Sequence, residues 1–189
     1  SDLPEFDIAR AQALIDRLFI MVMACSDLPA SLEWMVEHTK LQIGRPHLPI
    51  VYTMLANAFN LPVEQLHVIA TMIDGRDVFL EMDQLPEQAV PRPHIPGTLP
   101  QGIAVGSILT PHFDAIVANS SQHFVAPPQA HTSVVYGGAR AVTLRAPDGT
   151  LVVAPSESPE NTYFNAGTKE RIRITAGSTY HQSLVRAIF

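Results

Sequence analysis

Ala141-Val-Thr-Leu-Arg145, Ala146-Pro-Asp148-Gly149, Thr150-Leu-Val-Val-Ala154 is the stretch on which the reading of this chain turns. Two runs rich in β-branched residues flank an Asp-Gly pair, and Asp-Gly readily takes the positive backbone angles of a tight turn, so the stretch predicts a β-hairpin. Downstream, Arg171-Ile-Arg-Ile-Thr175 alternates polar and apolar residues as a half-buried strand does. Shorter candidates cover 102–109, 115–118, 133–136 and 183–188. Several short strands separated by turn residues predict an antiparallel β-sandwich or barrel over 101–189, of the jelly-roll kind.

Working back from there, Pro86, Pro91, Pro93, Pro96, Pro100 and Pro111 break any regular element. Residues 86–100 therefore read as an extended connector. The first part of the chain reads as helical. Ile8, Ala11, Ile15, Leu18, Phe19 and Val22 recur at helical spacing, and Ser26-Asp27 with Pro29 closes that element and opens a helix over 32–41. Pro49 and Pro62 suit first helical turns, while Asn60 and Gly75 suit the positions just past helix ends, which predicts helices over 50–59 and 63–73 and a short one over 78–84. The expected architecture is α+β, with a helical lobe (1–85), a connector (86–100) and a β-rich lobe (101–189). No internal repeat is visible.

Composition narrows the classes. The chain has 189 residues, of which 47% are hydrophobic and only 16% charged, against about 25% charged in an average soluble domain. A surface short of charge suggests apolar area covered by other subunits, hence a homo-oligomer. Up to Asp83 there are twelve acids and five bases, a net −7; the remainder has six acids and seven bases, a net +1. No basic stripe exists to neutralise phosphates, so nucleic acid is not expected as a partner. Cys25 is the only cysteine, which excludes an internal disulfide framework and any multi-cysteine zinc site, and its apolar neighbours mark it as a core thiol. The apolar run 18–25 is shorter than the roughly 20 residues that span a bilayer, and it lacks a basic leader. A cytoplasmic protein with no membrane partner is the expectation.

His112-Phe-Asp114, followed by His181, is the one constellation whose residue types and order suit chemistry. Two imidazoles and one carboxylate on one face of a metal leave the opposite positions open for substrate and oxidant. The stretch from Gly106 to Asp114 resembles the opening of the first cupin motif, with five residues between the glycine and the histidine. Ile174-Thr-Ala-Gly177-Ser-Thr-Tyr-His181 resembles the second. The His-x-Asp form is similar to the double-stranded β-helix oxygenases that use iron and 2-oxoglutarate, and the resemblance implies Fe(II) held by His112, Asp114 and His181. The sequence departs from the pattern where a cupin places a glutamate, near Asn119. Arg186 follows His181 too closely to hold a co-substrate carboxylate, leaving only Arg140. His123 and His131 flank a proline-containing segment read as a loop, and could add imidazoles. His38, His47, His67 and His94 are scattered and support nothing by themselves.

The stretch from Leu55 to Leu66 resembles the helix-turn-helix of small repressors, and with a cupin it implies a cupin-linked regulator. A recognition helix needs Arg, Lys, Asn or Gln within a basic frame, and the residues offered here are Val63, Glu64, Gln65, His67 and Val68 in an acidic setting. A helical hairpin packed through Leu55, Phe59, Leu66 and Ile69 is the simpler reading. No nucleophile elbow or phosphate loop is present. With no complete catalytic motif, the leading expectation is a structural or assembly protein, such as a shell, particle or tail component of the kind found in viruses and phages, with no cofactor. The metal-dependent oxygenase, with Fe(II), is the alternative, and the regulator comes third.

Overall fold

The computed structural model describes residues 20–74, 77–91, 93–99, 105–108, 110–131 and 138–156. In chain order they form β1 (Met21–Cys25), α1 (Leu28–Thr39), β2 (Gln42–Val51), α2 (Thr53–Ala58), β3 (Leu66–Asp74), β4 (Asp77–Gln84), β5 (Val105–Ser107), α3 (Phe113–Asn119), β6 (Phe124–Ala130), β7 (Arg140–Arg145) and β8 (Leu151–Pro155). Two compact units divide them: residues up to 28 with 41–89, and 29–40 with those from 90 on. Each unit holds one four-stranded sheet, ordered β1-β4-β3-β2 and β5-β8-β7-β6. In both, the first and last strands pair in parallel and the other neighbours antiparallel. The described residues thus lay down strand, helix and three further strands twice, with α2 inserted between β2 and β3 in the first round. That repeat of topology leaves no trace in the sequence, because a module is specified by where apolar residues fall and not by which ones they are.

Among the described residues neither the helical lobe nor the jelly-roll is found, and both expectations are corrected to an α+β chain with two mixed sheets; the helix expected from Ile8 onward lies, up to residue 19, outside the described residues. Residues 63–73 and 78–84, read as helices, are β3 and β4. Leu80-Glu-Met-Asp-Gln84 has good helical propensity, but pairing on both sides, with β1 and with β3, overrides it. Residues 115–118, read as a strand, belong to α3, which buries Phe113 and Ile116, three residues apart, on one side. The second helix of the supposed helix-turn-helix is absent, because Leu66 opens β3. The helix before it is real. Asn60 follows α2 at φ +53°, and the Leu61 N–H donates to the Ala56 carbonyl at 2.8 Å, a left-handed cap that ends the helix.

Proline marks the same place in both sheets. Pro46 and Pro49 lie in β2, and Pro127 and Pro128 in β6, each the edge strand of its sheet. A residue without an amide donor is tolerated at an edge and blocks further strand addition there. The segment between His123 and His131 is therefore mostly a strand. Gly44 sits at a bulge of β2, where a Cβ would lie 2.9 Å from Ile73 Cγ2 and Thr71 Oγ1. The expected hairpin is present as β7 and β8, closed by Gly149 at φ +78° and by the Gly149 N–H donating to the Ala146 carbonyl at 2.9 Å. The described part of 86–100 has two turns and no helix or strand. Among the described residues no helix is long and apolar enough to cross a membrane. His181 and the strands expected at 133–136, 171–175 and 183–188 lie outside the described residues.

Candidate functional site

β4 is one of the two inner strands of the first sheet, and its two faces carry different residues. Leu80 and Met82 are fully buried, and by register they share a face with Met21, Met23 and Met72. Glu81 and Asp83 point to the other face, because successive side chains of a strand alternate. The end of β4 is fastened to the end of β1. Gln84 Nε2 donates to the Ser26 carbonyl at 2.6 Å, its Oε1 accepts from the Leu28 N–H at 2.7 Å, and the Leu85 N–H donates to the Cys25 carbonyl at 2.9 Å. Cys25, buried as expected, directs its thiol to the Asp83 carbonyl at 3.3 Å. Asp83 therefore sits on rigid backbone.

The Asp83 side chain is 5% exposed, and it hydrogen-bonds with Glu81 and with the phenol of Tyr52, the residue that links β2 to α2. Its Oδ1 is buried and has no hydrogen-bond partner among the described residues. Burial pushes the carboxyl up to about 7, the negative charge of Glu81 and the hydrogen bond with it add to the rise, and the Tyr52 hydrogen bond works against it. The Tyr52 phenol is itself raised, first by burial and then by the charges of Asp83 and Glu81. Two places along β3 from Ile69, the register partner of Asp83, His67 lies on the same face, buried and with Nε2 unpartnered among the described residues. A carboxyl that exchanges its proton near neutrality, beside a phenol and a second carboxylate, is equipped for general acid–base work.

The second unit has a ring cluster of its own. His38, on α1, is 3% exposed; its Nδ1 shares a 2.9 Å hydrogen bond with Ser120 Oγ, and its ring lies 4.4 Å from that of His123 and 5.1 Å from that of Trp34. Burial lowers the His38 pKa, His123 and Lys40 lower it further, and Glu37 opposes them.

With two strand-helix-three-strand modules and these side chains in place, comparison with known proteins is informative. No protein-family model matches the chain, and no curated protein does. Solved structures do match. A glyoxalase family protein from Bacillus cereus superposes with a TM-score of 0.57 at 16% identity, over 80% of this chain and 99% of that one. A glyoxalase/dioxygenase from Nostoc punctiforme gives 0.55 at 17% identity, over 78% and 95%. Glyoxalase I from Zea mays gives 0.52 at 14% identity, over 76% of this chain and 46% of that one. The fold resembles that of the glyoxalase proteins. The cupin resemblance is thereby corrected: the fold is similar to a different β-rich architecture, in which His-x-Asp spacing has no cupin meaning. The shell or assembly role, expected from the low charge, the proline-rich arm and the lack of a complete catalytic motif, is corrected by these same neighbours, and the cupin-linked regulator falls with the cupin fold and the missing second helix.

Within the glyoxalase-like fold, His112 and Asp114 flank the start of α3. The His112 carbonyl accepts the Ile116 N–H at 3.0 Å, and its own N–H donates to Thr110 Oγ1 at 3.0 Å. Asp114 pairs with Arg140 at 3.3 Å, with its side chain 90% exposed, and the Arg140 guanidinium lies 4.8 Å from the Phe113 ring centre. An ion pair this open contributes at most about 1 kcal/mol, so Asp114→Ala is expected to move the midpoint of urea unfolding very little. Among the described residues no three His, Cys, Asp or Glu side chains stand close enough to share a metal ion. The Fe(II) set of His112, Asp114 and His181 thus depends on a residue outside the described ones. His131 is buried, with its pKa lowered by burial, and its N–H donates to the Ala139 carbonyl at 3.0 Å. His47 lies on the exposed edge strand β2, and His94 is exposed. Asp83, Glu81, Tyr52 and the His38–Ser120 pair escaped sequence reasoning. The first two would have stood out on a period of two, which places residues 81 and 83 on one face; the others come together only through the fold.

Proposed function

We propose that this chain is an enzyme of the glyoxalase-like fold, acting on a small carbonyl compound by proton transfer, with Asp83 as its acid–base group. The observation that supports this most is a buried carboxyl with an unpartnered Oδ1, its proton held near neutral pH by burial and by Glu81. The reaction class this suits is removal of a proton from carbon next to a carbonyl. Glu81 accepts the carbon-bound proton, while Asp83, protonated, donates to the carbonyl oxygen as negative charge grows there. Tyr52 orients Asp83 through their hydrogen bond. General acid–base groups of this kind contribute about 100-fold to 10,000-fold in rate.

Hydroxyacetone is a suitable probe, because its carbon-bound protons exchange with deuterium only through such a step. Proton NMR in deuterated buffer is expected to show exchange faster with the protein than with buffer alone. Asp83→Asn should abolish the gain and Tyr52→Phe should reduce it. Exchange no faster than buffer across a panel of small 2-hydroxy and 2-oxo carbonyl compounds, or an undiminished rate in Asp83→Asn, defeats the proposal.

A further inference from the structure

The second compact unit contains a cavity of about 300 Å³ whose walls include Trp34, Gln122, His123, Phe124 and Arg145. That volume is at the lower end of small-molecule sites. Its lining comes from α1, the turn Ser121–His123, the start of β6 and the end of β7. None of this belongs to the Asp83 group, which lies in the other unit.

The polar atoms around the cavity are mostly donors. Trp34 is 8% exposed, and its Nε1 is buried with no hydrogen-bond partner among the described residues. That N–H is shielded from solvent, so it is the indole ring, not its N–H, that a ligand in the cavity meets. Arg145, half-buried at the end of β7, adds five further donors and a fixed positive charge. No carboxylate among the described residues forms an ion pair with it. The rest of the wall is rings: Trp34 and His123 meet edge to face at 82° with centres 5.5 Å apart, and Phe124 stands beside them. Aromatic walls favour a flat apolar body through offset or edge contacts. A guanidinium favours a planar two-oxygen acceptor over any single-point one.

We infer that this cavity binds a small aromatic carboxylate, with its ring against Trp34 and Phe124 and its carboxylate on Arg145. The ligand supplies a planar acceptor for the guanidinium. His123 forms one wall, and the His38–Ser120 hydrogen bond behind it fixes the ring that the ligand meets. The site is independent of the acid–base reading, and either can fail without the other.

Trp34 is the only tryptophan of the chain, so its fluorescence reports on this cavity alone. Titration with benzoate is expected to change the emission along a saturating curve, while benzamide, of the same shape and no charge, has at least tenfold weaker effect. Arg145→Gln should weaken benzoate at least tenfold, and Arg145→Lys, which keeps the charge without the planar fork, should fall between. Near-ultraviolet circular dichroism checks that each variant is folded; should Arg145→Gln not fold, the benzoate and benzamide comparison in the native protein decides by itself. A change that rises linearly without saturation, benzamide equal to benzoate, or a folded Arg145→Gln that binds as the native chain does would each overturn the assignment.

Discussion

Asp83→Asn is expected to melt several degrees higher than the native protein at pH 8, by about a third of that margin at pH 5, and at nearly the same temperature at pH 4. The carboxyl has an ordinary value of 3.8 and is pushed up to about 7 in the fold. Between those values the native state binds a proton that the unfolded chain has released, so stability falls as pH rises from about 4 to about 7 and levels off above. At pH 8 the native protein carries a buried carboxylate beside Glu81, and asparagine carries none. Each pH unit crossed in that window removes up to about 1.4 kcal/mol, and relaxation around the site reduces the full figure, which leaves a gain of about 2 kcal/mol for the asparagine. In a chain of this length each kcal/mol moves the melting temperature by about 2–4 °C. Buried His38 and His131, whose pKa values are lowered, bend the profile the opposite way below pH 6.5. The difference between variant and native curves removes that contribution. A difference that stays flat from pH 5 to pH 8 would show that Asp83 is not the group that titrates. A substitution that raises stability while ending proton exchange is the signature of a residue kept for its chemistry.

What the sequence revealed of this fold follows the physics of edges and centres. The hairpin of β7 and β8 was legible because an Asp-Gly turn is a local signal, and it needs no partner to be read. β4 was misread because its helical propensity outweighed the alternation of Leu80 and Met82 with Glu81 and Asp83, and β3 because it lies inside a sheet. Ile69, Ala70 and Met72 are buried on successive faces of β3, so the alternation that identifies a strand is lost. Pro49 of β2, read as a helix start, and Pro127 and Pro128 of β6, read as part of a loop, mark edge strands, a meaning they acquire only once the sheet order is known. His112 and Asp114 drew attention because they are two residues apart in sequence. Asp83 and Tyr52 are 31 positions apart, and only the pairing of β2 with β3 and of β3 with β4 brings their strands into one sheet. Glu81 and Asp83 were within reach of a period of two, but their meeting with Tyr52 was invisible for the same reason that the sheet order was: both depend on long-range pairing.

His38→Leu should lower stability by about 2–3 kcal/mol, the largest loss expected from any single change in the ring cluster. Leucine fills much of the space, so the loss comes from polarity and ring contact. Ser120 is 0% exposed, and its hydroxyl would lose the partner now 2.9 Å away, which costs about 1–3 kcal/mol for a buried polar group left unmet. The contacts of the His38 ring with Trp34 and His123 add roughly 0.5–1.5 kcal/mol. The pH dependence gives an independent reading. Because burial lowers the His38 pKa, the unfolded chain gains a proton below about pH 6.5 that the native state resists. Stability is therefore lost as pH falls through that window, and His38→Leu should flatten this part of the curve, leaving what His131 contributes. Ser120→Ala added to His38→Leu removes both partners and should restore part of the loss, since an apolar pair leaves nothing unmet. Urea unfolding of the two single variants and the double variant completes the cycle. If the double variant is less stable than His38→Leu alone, the cluster is held by ring packing and the histidine–serine hydrogen bond contributes nothing of its own.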